Sequence, residues 1–145
     1  MRAFEFPLRQ ALKWRRTQME LEENKLRQLV ARLEEMALEA VQLGMVQTRA
    51  EAAVRQAGAV EAGDLWALAA YRQRLIAELQ ALAVKREACA QQISAQRQRV
   101  VEADRQCRLL EKLEQRRHAE WRKAQDRELE SLAAESFLAA WNRRT

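Results

Sequence analysis

Apolar residues recur along this chain at alternating spacings of three and four. In the first half the stripe reads Leu8, Leu12, Arg15, Met19, Glu22, Leu26, Leu29, Leu33, Met36, Ala40, Leu43, Gln47, Ala50, Val54 and Ala57. In the second it reads Leu65, Leu68, Arg72, Leu75, Leu79, Leu82, Arg86, Cys89, Ile93, Gln96, Val100, Ala103, Cys107 and Leu110. The segment between them, Gly58 to Asp64, holds two of the chain's three glycines. A hydrophobic repeat of 3.5 is the seam of a left-handed coiled coil. The pattern predicts an all-α fold: a long two-helix antiparallel coiled-coil hairpin in one domain, 1–145. Helix 1 is expected over about 7–57, the turn over 58–64 and helix 2 over about 65–141.

Local signals fix where these helices start and stop. Pro7 suits a first helical turn, where its missing N–H costs nothing. Gly58 is a candidate C-cap and Asp64 a candidate N-cap. Gly44 lies inside helix 1, where it costs about 1 kcal/mol relative to alanine and predicts a local loosening. A turn near residue 60 pairs Leu29 with Ile93, Leu12 with Leu109, and Leu8 with Leu113. Helix 1 then runs out opposite about residue 115, so roughly the last 30 residues form a helical overhang. Trp121, Leu129, Leu132, Phe137, Leu138 and Trp141 have no helix 1 cover there. Either Phe4 and Phe6 fold over some of them, or they face a partner. The polar seam residues Arg15, Glu22, Gln47, Arg72, Arg86 and Gln96 read as register control. They also read as weak places through which a partner reaches the coil.

Composition strengthens the helical reading. One proline and three glycines among 145 residues are too few for a loop-rich globule, and 32% of residues are charged. No apolar run is long enough to span a membrane. The opening MRAFEFPLRQALKWRR lacks an apolar h-region and is not expected to act as a signal peptide, so the chain is expected in the cytoplasm. Cys89 and Cys107 are about 27 Å apart along one predicted helix, too far to bridge within one molecule. Both lie on the stripe, where buried reduced thiols are expected.

Net charge is +5 and uneven. The richest basic stretch runs from Arg97 to Lys123, but Glu102, Asp104, Glu111, Glu114 and Glu120 interleave with it. That pattern suits a solvated, salt-bridged helix better than a nucleic-acid surface. Catalysis is not expected: His118 is the only histidine, no serine has a base nearby, and no phosphate loop or metal-ligand spacing occurs. No cofactor is expected. Trp14, Trp66, Trp121 and Trp141 lie off the seam or beyond it, and a slender coil cannot enclose an indole. Each reads either as flank packing or as an anchor for a protein partner.

Three stretches together resemble the flagellar FliJ family, the small cytoplasmic coiled-coil stalks of flagellar and related type III export. The opening FEFPLRQALKWRRTQMELEENKL is similar to the family's Phe-x-Phe-x-Leu start, Arg-rich turn and Glu-rich helix. Trp66, Tyr71, Leu75, Ile76 and Leu79 resemble its segment after the turn, with a longer Trp-to-Tyr gap and Leu75 where an aromatic is usual. RLLEKLEQRRHAEWRK resembles its later R..LEKL…R stretch. The resemblance implies a non-enzymatic stalk that enters the hexameric export ATPase ring, promotes its assembly and couples it to the membrane export gate. Export chaperones are further implied partners, with neither nucleic acid nor membrane insertion. It also implies peripheral association with the membrane apparatus. Trp14, Arg15, Arg16, Arg116, Arg117, Trp121, Arg122 and Lys123 are assigned to the ATPase contact. Trp66, Tyr71, Leu75, Leu79 and Leu82 are assigned to the gate contact. Whether the system is flagellar or the injectisome counterpart stays open. A self-associating scaffold and a chaperone-like hairpin are the alternatives.

Overall fold

The structure is a computed structural model that describes residues 2–145. It is an all-α helical hairpin: α1 spans Arg9–Gln56 and α2 spans Ala62–Arg144, with no strand among the described residues. The chain divides into two compact units, one of residues 21–100 and one of residues 2–20 with 101–145.

In the 21–100 unit, α1 and α2 run antiparallel, as three cross-contacts of steadily widening sequence separation require. The Arg72 guanidinium reaches Glu51 at 2.6 Å, the Cys89 thiol donates to the Leu29 carbonyl at 3.5 Å, and Gln96 Nε2 donates to the Glu22 carbonyl at 3.0 Å. Leu29 therefore meets Cys89, one helical turn before the expected Ile93. Leu75, Leu82, Cys89, Ile93 and Gln96 are buried. Their α1 counterparts Leu26, Leu29, Leu33, Met36 and Leu43 are half-buried. A two-helix seam covers each side chain from one direction only, which is why so few residues are fully enclosed.

Gln96 is the one buried polar side chain among the described residues. Its amide donates to both the backbone and the carboxylate of Glu22, so two polar seam residues satisfy one another. Arg72 and Arg86 are exposed, their heads lifted out of the seam. Gly44 does not interrupt α1, which is continuous through it. Thr48 Oγ1 donates to the Gly44 carbonyl at 3.0 Å.

The turn begins one residue after α1 ends. Gly58 has φ 69°, a left-handed conformation that glycine adopts without a Cβ penalty, as expected of a C-cap. The expected N-cap at Asp64 is displaced. The Glu61 carbonyl accepts the first α2 bonds, from the N–H groups of Asp64 at 3.1 Å and Leu65 at 3.3 Å. Asp64 instead lies in the first turn, where its charge complements the helix dipole.

In the other unit, Phe6, Leu12 and Cys107 form the buried core. The Phe6 carbonyl accepts from the Arg9 N–H at 3.1 Å, so Pro7 sits in the turn that opens α1. The expected neighbours differ: Leu109 is 56% exposed and Leu8 is 41% exposed, so neither is a core residue. Beyond Gln125 every residue of α2 is exposed.

Candidate docking surfaces

The unit that contains residues 2–20 has two neighbouring features. The first is an N-terminal strap laid on α2. Trp121 Nε1 donates to the Arg2 carbonyl at 3.2 Å, and Gln125 Nε2 donates to the same oxygen at 3.5 Å. The Phe4 ring stands edge-on to His118 at 4.9 Å and lies 5.8 Å from Trp121. Phe4 thus covers Trp121, as the first of the two possibilities open in the sequence had it for that residue. The second feature is charge. Arg116, Arg117, Arg122 and Lys123 are exposed, and none makes an ion pair among the described residues.

The α1 residues assigned to this surface are more constrained. Arg16 pairs with Glu111 at 3.3 Å, across the two helices. Arg15 is half-buried, with its guanidinium 4.7 Å over the Trp14 ring. Trp14 is 54% exposed. Of the residues assigned to this surface, Arg116, Arg117, Arg122 and Lys123 are exposed without an ion pair and Trp14 is exposed beneath Arg15, whereas Arg16 and Trp121 hold local structure.

Leu129, Leu132, Phe137, Leu138 and Trp141 remain uncovered, each at least 48% exposed. Phe137 and Trp141 stack on each other at 6.4 Å, the spacing of one helical turn.

The 21–100 unit corrects the assigned gate contact. Leu75 is 3% exposed and Leu82 is 7% exposed, because both are seam residues that clamp α2 to α1. Leu79 is half-buried on the same stripe. Leu75 and Leu82 cannot offer a docking face without opening the hairpin, while Leu79 keeps part of its side chain accessible. Trp66 is 81% exposed, the most open large apolar side chain among the described residues. Tyr71 is half-buried and walls an open cavity of about 540 Å³ beside the turn, with Ala50, Ala53, Ala57, Ala67 and Leu68. Asp64 is the one charged residue in that wall. Alanines at seam positions leave the space unfilled.

No protein-family model, curated protein or solved structure matches this chain. The surfaces therefore stand on their own geometry. No helix among the described residues is long and apolar enough to cross a membrane.

Three electrostatic details bear on these surfaces. Glu22 is held below the usual carboxylate range, chiefly by the Gln96 amide and further by Lys25. Glu51 is held low chiefly by its bond from Arg72. Burial pushes the Cys107 thiol up, and the nearby carboxylates of Glu111 and Asp104 add to that. Cys89 and Cys107 are both free and buried.

A surface that the heptad reading passed over is the outer side of α1. Leu38, Val41 and Met45 are 59%, 55% and 55% exposed. The signal was present in the sequence, as apolar residues at positions that point away from the seam.

Proposed function

We propose that this chain is a non-enzymatic stalk-type subunit of a flagellar or type III protein-export apparatus. It would enter the export ATPase ring, promote ring assembly and link the ring to the membrane export gate from the cytoplasmic side. The observation that carries the reading is that Arg116, Arg117, Arg122 and Lys123 are exposed without an ion pair among the described residues, in the same unit as exposed Trp14. Unpaired cations on a helical surface favour a carbonyl-lined or acidic ring bore, and speed encounter with it. The resemblance of the opening segment and of RLLEKLEQRRHAEWRK to the stalk family supports the same assignment. In the 21–100 unit, Trp66, Tyr71 and the half-buried Leu79 remain the assigned gate contact, without the buried Leu75 and Leu82.

ATP hydrolysis by the cognate export ATPase, titrated with this chain, tests the reading. Stimulation near one chain per six ATPase subunits, with growth to ring-sized particles, supports it. Reversing the four cations to glutamate should abolish both effects. No effect of the wild-type chain on either readout removes the stalk assignment. The second reading is a self-associating scaffold or a chaperone-like hairpin, favoured by the bare apolar segment from Leu129 to Trp141. Loss of self-association or client binding on Phe137→Glu, with the ATPase unaffected by wild type, would select it.

A further inference from the structure

A second 3-4 stripe lies on α1, on the side away from the seam. With Ala40, Leu43, Gln47 and Ala50 in the seam, the outermost positions are Leu38, Val41, Met45, Thr48 and Ala52. All five are exposed. None of the five is charged, and Arg49 flanks them. The equivalent outer positions earlier in the same unit are Asn24, Arg27, Ala31 and Glu34, three of them polar. Outer positions of a hairpin helix are ordinarily its most polar, so the switch to apolar at Leu38 calls for a cause.

The spacing names the kind of partner. Exposed apolar residues at alternating three and four take another helix. Gly44 borders the stripe, and a Cβ there would meet nothing within 4 Å. A shallow groove runs past it between Val41, Met45, Thr48 and Arg49. A glycine at that point lets a second backbone approach closely.

The flanking charges choose among helices. Glu34 and Glu35 precede the stripe, Arg49 flanks it one turn after Met45, and Arg55 follows its far end. None of the four makes an ion pair among the described residues. We propose that a second copy of this chain lays the same stretch of α1 antiparallel across this face, centred on Met45. In that arrangement Leu38 meets the second copy's Ala52, large against small. Glu34 and Glu35 meet the second copy's Arg55. A parallel copy would set acid against acid and base against base.

The ends agree as well. Centred on Met45, residue 34 of one copy lies opposite residue 56 of the other, where α1 stops. The two α1 helices overlap from about residue 34 to Gln56, and the uncharged stripe falls inside that overlap. The polar outer positions Asn24 and Arg27 fall outside it. The apolar stripe within that overlap spans about four helical turns, a small contact close to the ~1,000 Å² floor for a specific interface.

Sedimentation of the full-length chain over roughly 1–200 µM is the first test, because so short a contact associates weakly. A monomer–dimer equilibrium is expected. Met45→Glu brings two carboxylates together at the twofold axis and should weaken association at least ~10-fold. Its helical circular dichroism should be unchanged, since Met45 is 55% exposed. Under mild oxidation Met45→Cys should form a disulfide-linked dimer. Leu38→Cys should not, because antiparallel copies hold the two sulfurs about 21 Å apart. Cys89 and Cys107 are buried and do not compete. A monomer at every concentration, a Met45→Glu dimer as tight as wild type, or self-linking through Leu38→Cys overturns the proposal. Association lost through Phe137→Glu and kept in Met45→Glu overturns it too, and assigns the contact to the C-terminal segment of α2.

Discussion

Removing the Leu12 side chain should loosen its own unit and leave residues 21–100 intact. Leu12 is 2% exposed and shares its core with Phe6 at 6% and Cys107 at 2%. Leu12→Ala deletes three carbons. Transfer alone accounts for about 2.4 kcal/mol at ~0.8 kcal/mol per carbon. Large-to-small core substitutions cost ~2–5 kcal/mol, the upper values where the hole cannot collapse. Here the neighbouring strap is a single extended segment that can settle inward, so about 2–3 kcal/mol is expected. Hydrogen exchange read by mass spectrometry is the appropriate assay, because a long hairpin opens locally and a single melting curve blurs its parts. Protection over residues 9–20 and 101–115 should fall by about 30–150-fold, at ~1.4 kcal/mol per factor of ten. Protection over residues 29–36 and 82–96 should hold. Leu8→Ala, at a site 41% exposed, should change little. A fall below about 5-fold, or an equal fall in both segments, would refute the argument that Leu12 closes a local core.

Acid should act through two carboxylates. Glu22 and Glu51 are held low in the fold, so their contribution is present above the unfolded carboxylate value and is lost as pH falls through the folded one. Gln96→Met should remove the larger influence on Glu22 and shrink the difference in melting temperature between neutral and acid pH. An unchanged difference would count against the Gln96 bond as the cause. Phe4→Ala should free the strap and shift Trp121 fluorescence to the red, whereas a matched substitution at exposed Glu5 should not. Cys107 should resist alkylation at neutral pH, and Leu12→Ala should speed its labelling, readable as mass gain over time. Because its thiol is pushed up, the linked stability is present below the unfolded thiol value and is lost as pH rises toward the folded one.

The seam was legible because its physics is periodic. Leu12, Leu75, Leu82, Cys89, Ile93 and Cys107 are all stripe positions, and all are buried. The hairpin and the polar seam residues could be read for the same reason, and the C-cap from the conformational freedom of Gly58. Precise register could not, since it depends on which side chains interlock: Cys89 rather than Ile93 meets Leu29. The gate assignment suffered from reading motif membership without helix face. Leu75 and Leu82 belong to a family-like segment and to the seam at once, and the seam governs their exposure. The outer stripe from Leu38 to Ala52 is legible in the opposite way, as apolar residues at positions where a hairpin helix is ordinarily polar. The strap over Trp121 was one of two alternatives, and no local pattern in Phe4-Glu5-Phe6 chose between them.

The alanine-walled space beside Gly58 has a bearing on how the chain reaches this fold. A hairpin is expected to zip from its turn, where the loop to be closed is shortest. Near this turn the first steps bury little, since Ala50, Ala53, Ala57 and Ala67 leave a cavity of about 540 Å³ unfilled. The enclosed seam residues lie farther out, from Leu75 through Leu82 to Cys89 and Ile93, and Cys89 bonds Leu29, 60 residues apart in sequence. Closing that loop rather than the 21-residue one between Glu51 and Arg72 adds only about 1 kcal/mol of entropy. One buried leucine, Leu75 or Leu82, offsets it. The nucleus is therefore expected over the enclosed stretch from Leu75 to Ile93, with the turn sealing afterwards. Substitutions at Gly58 then act on the unfolding rate and leave the folding rate almost untouched.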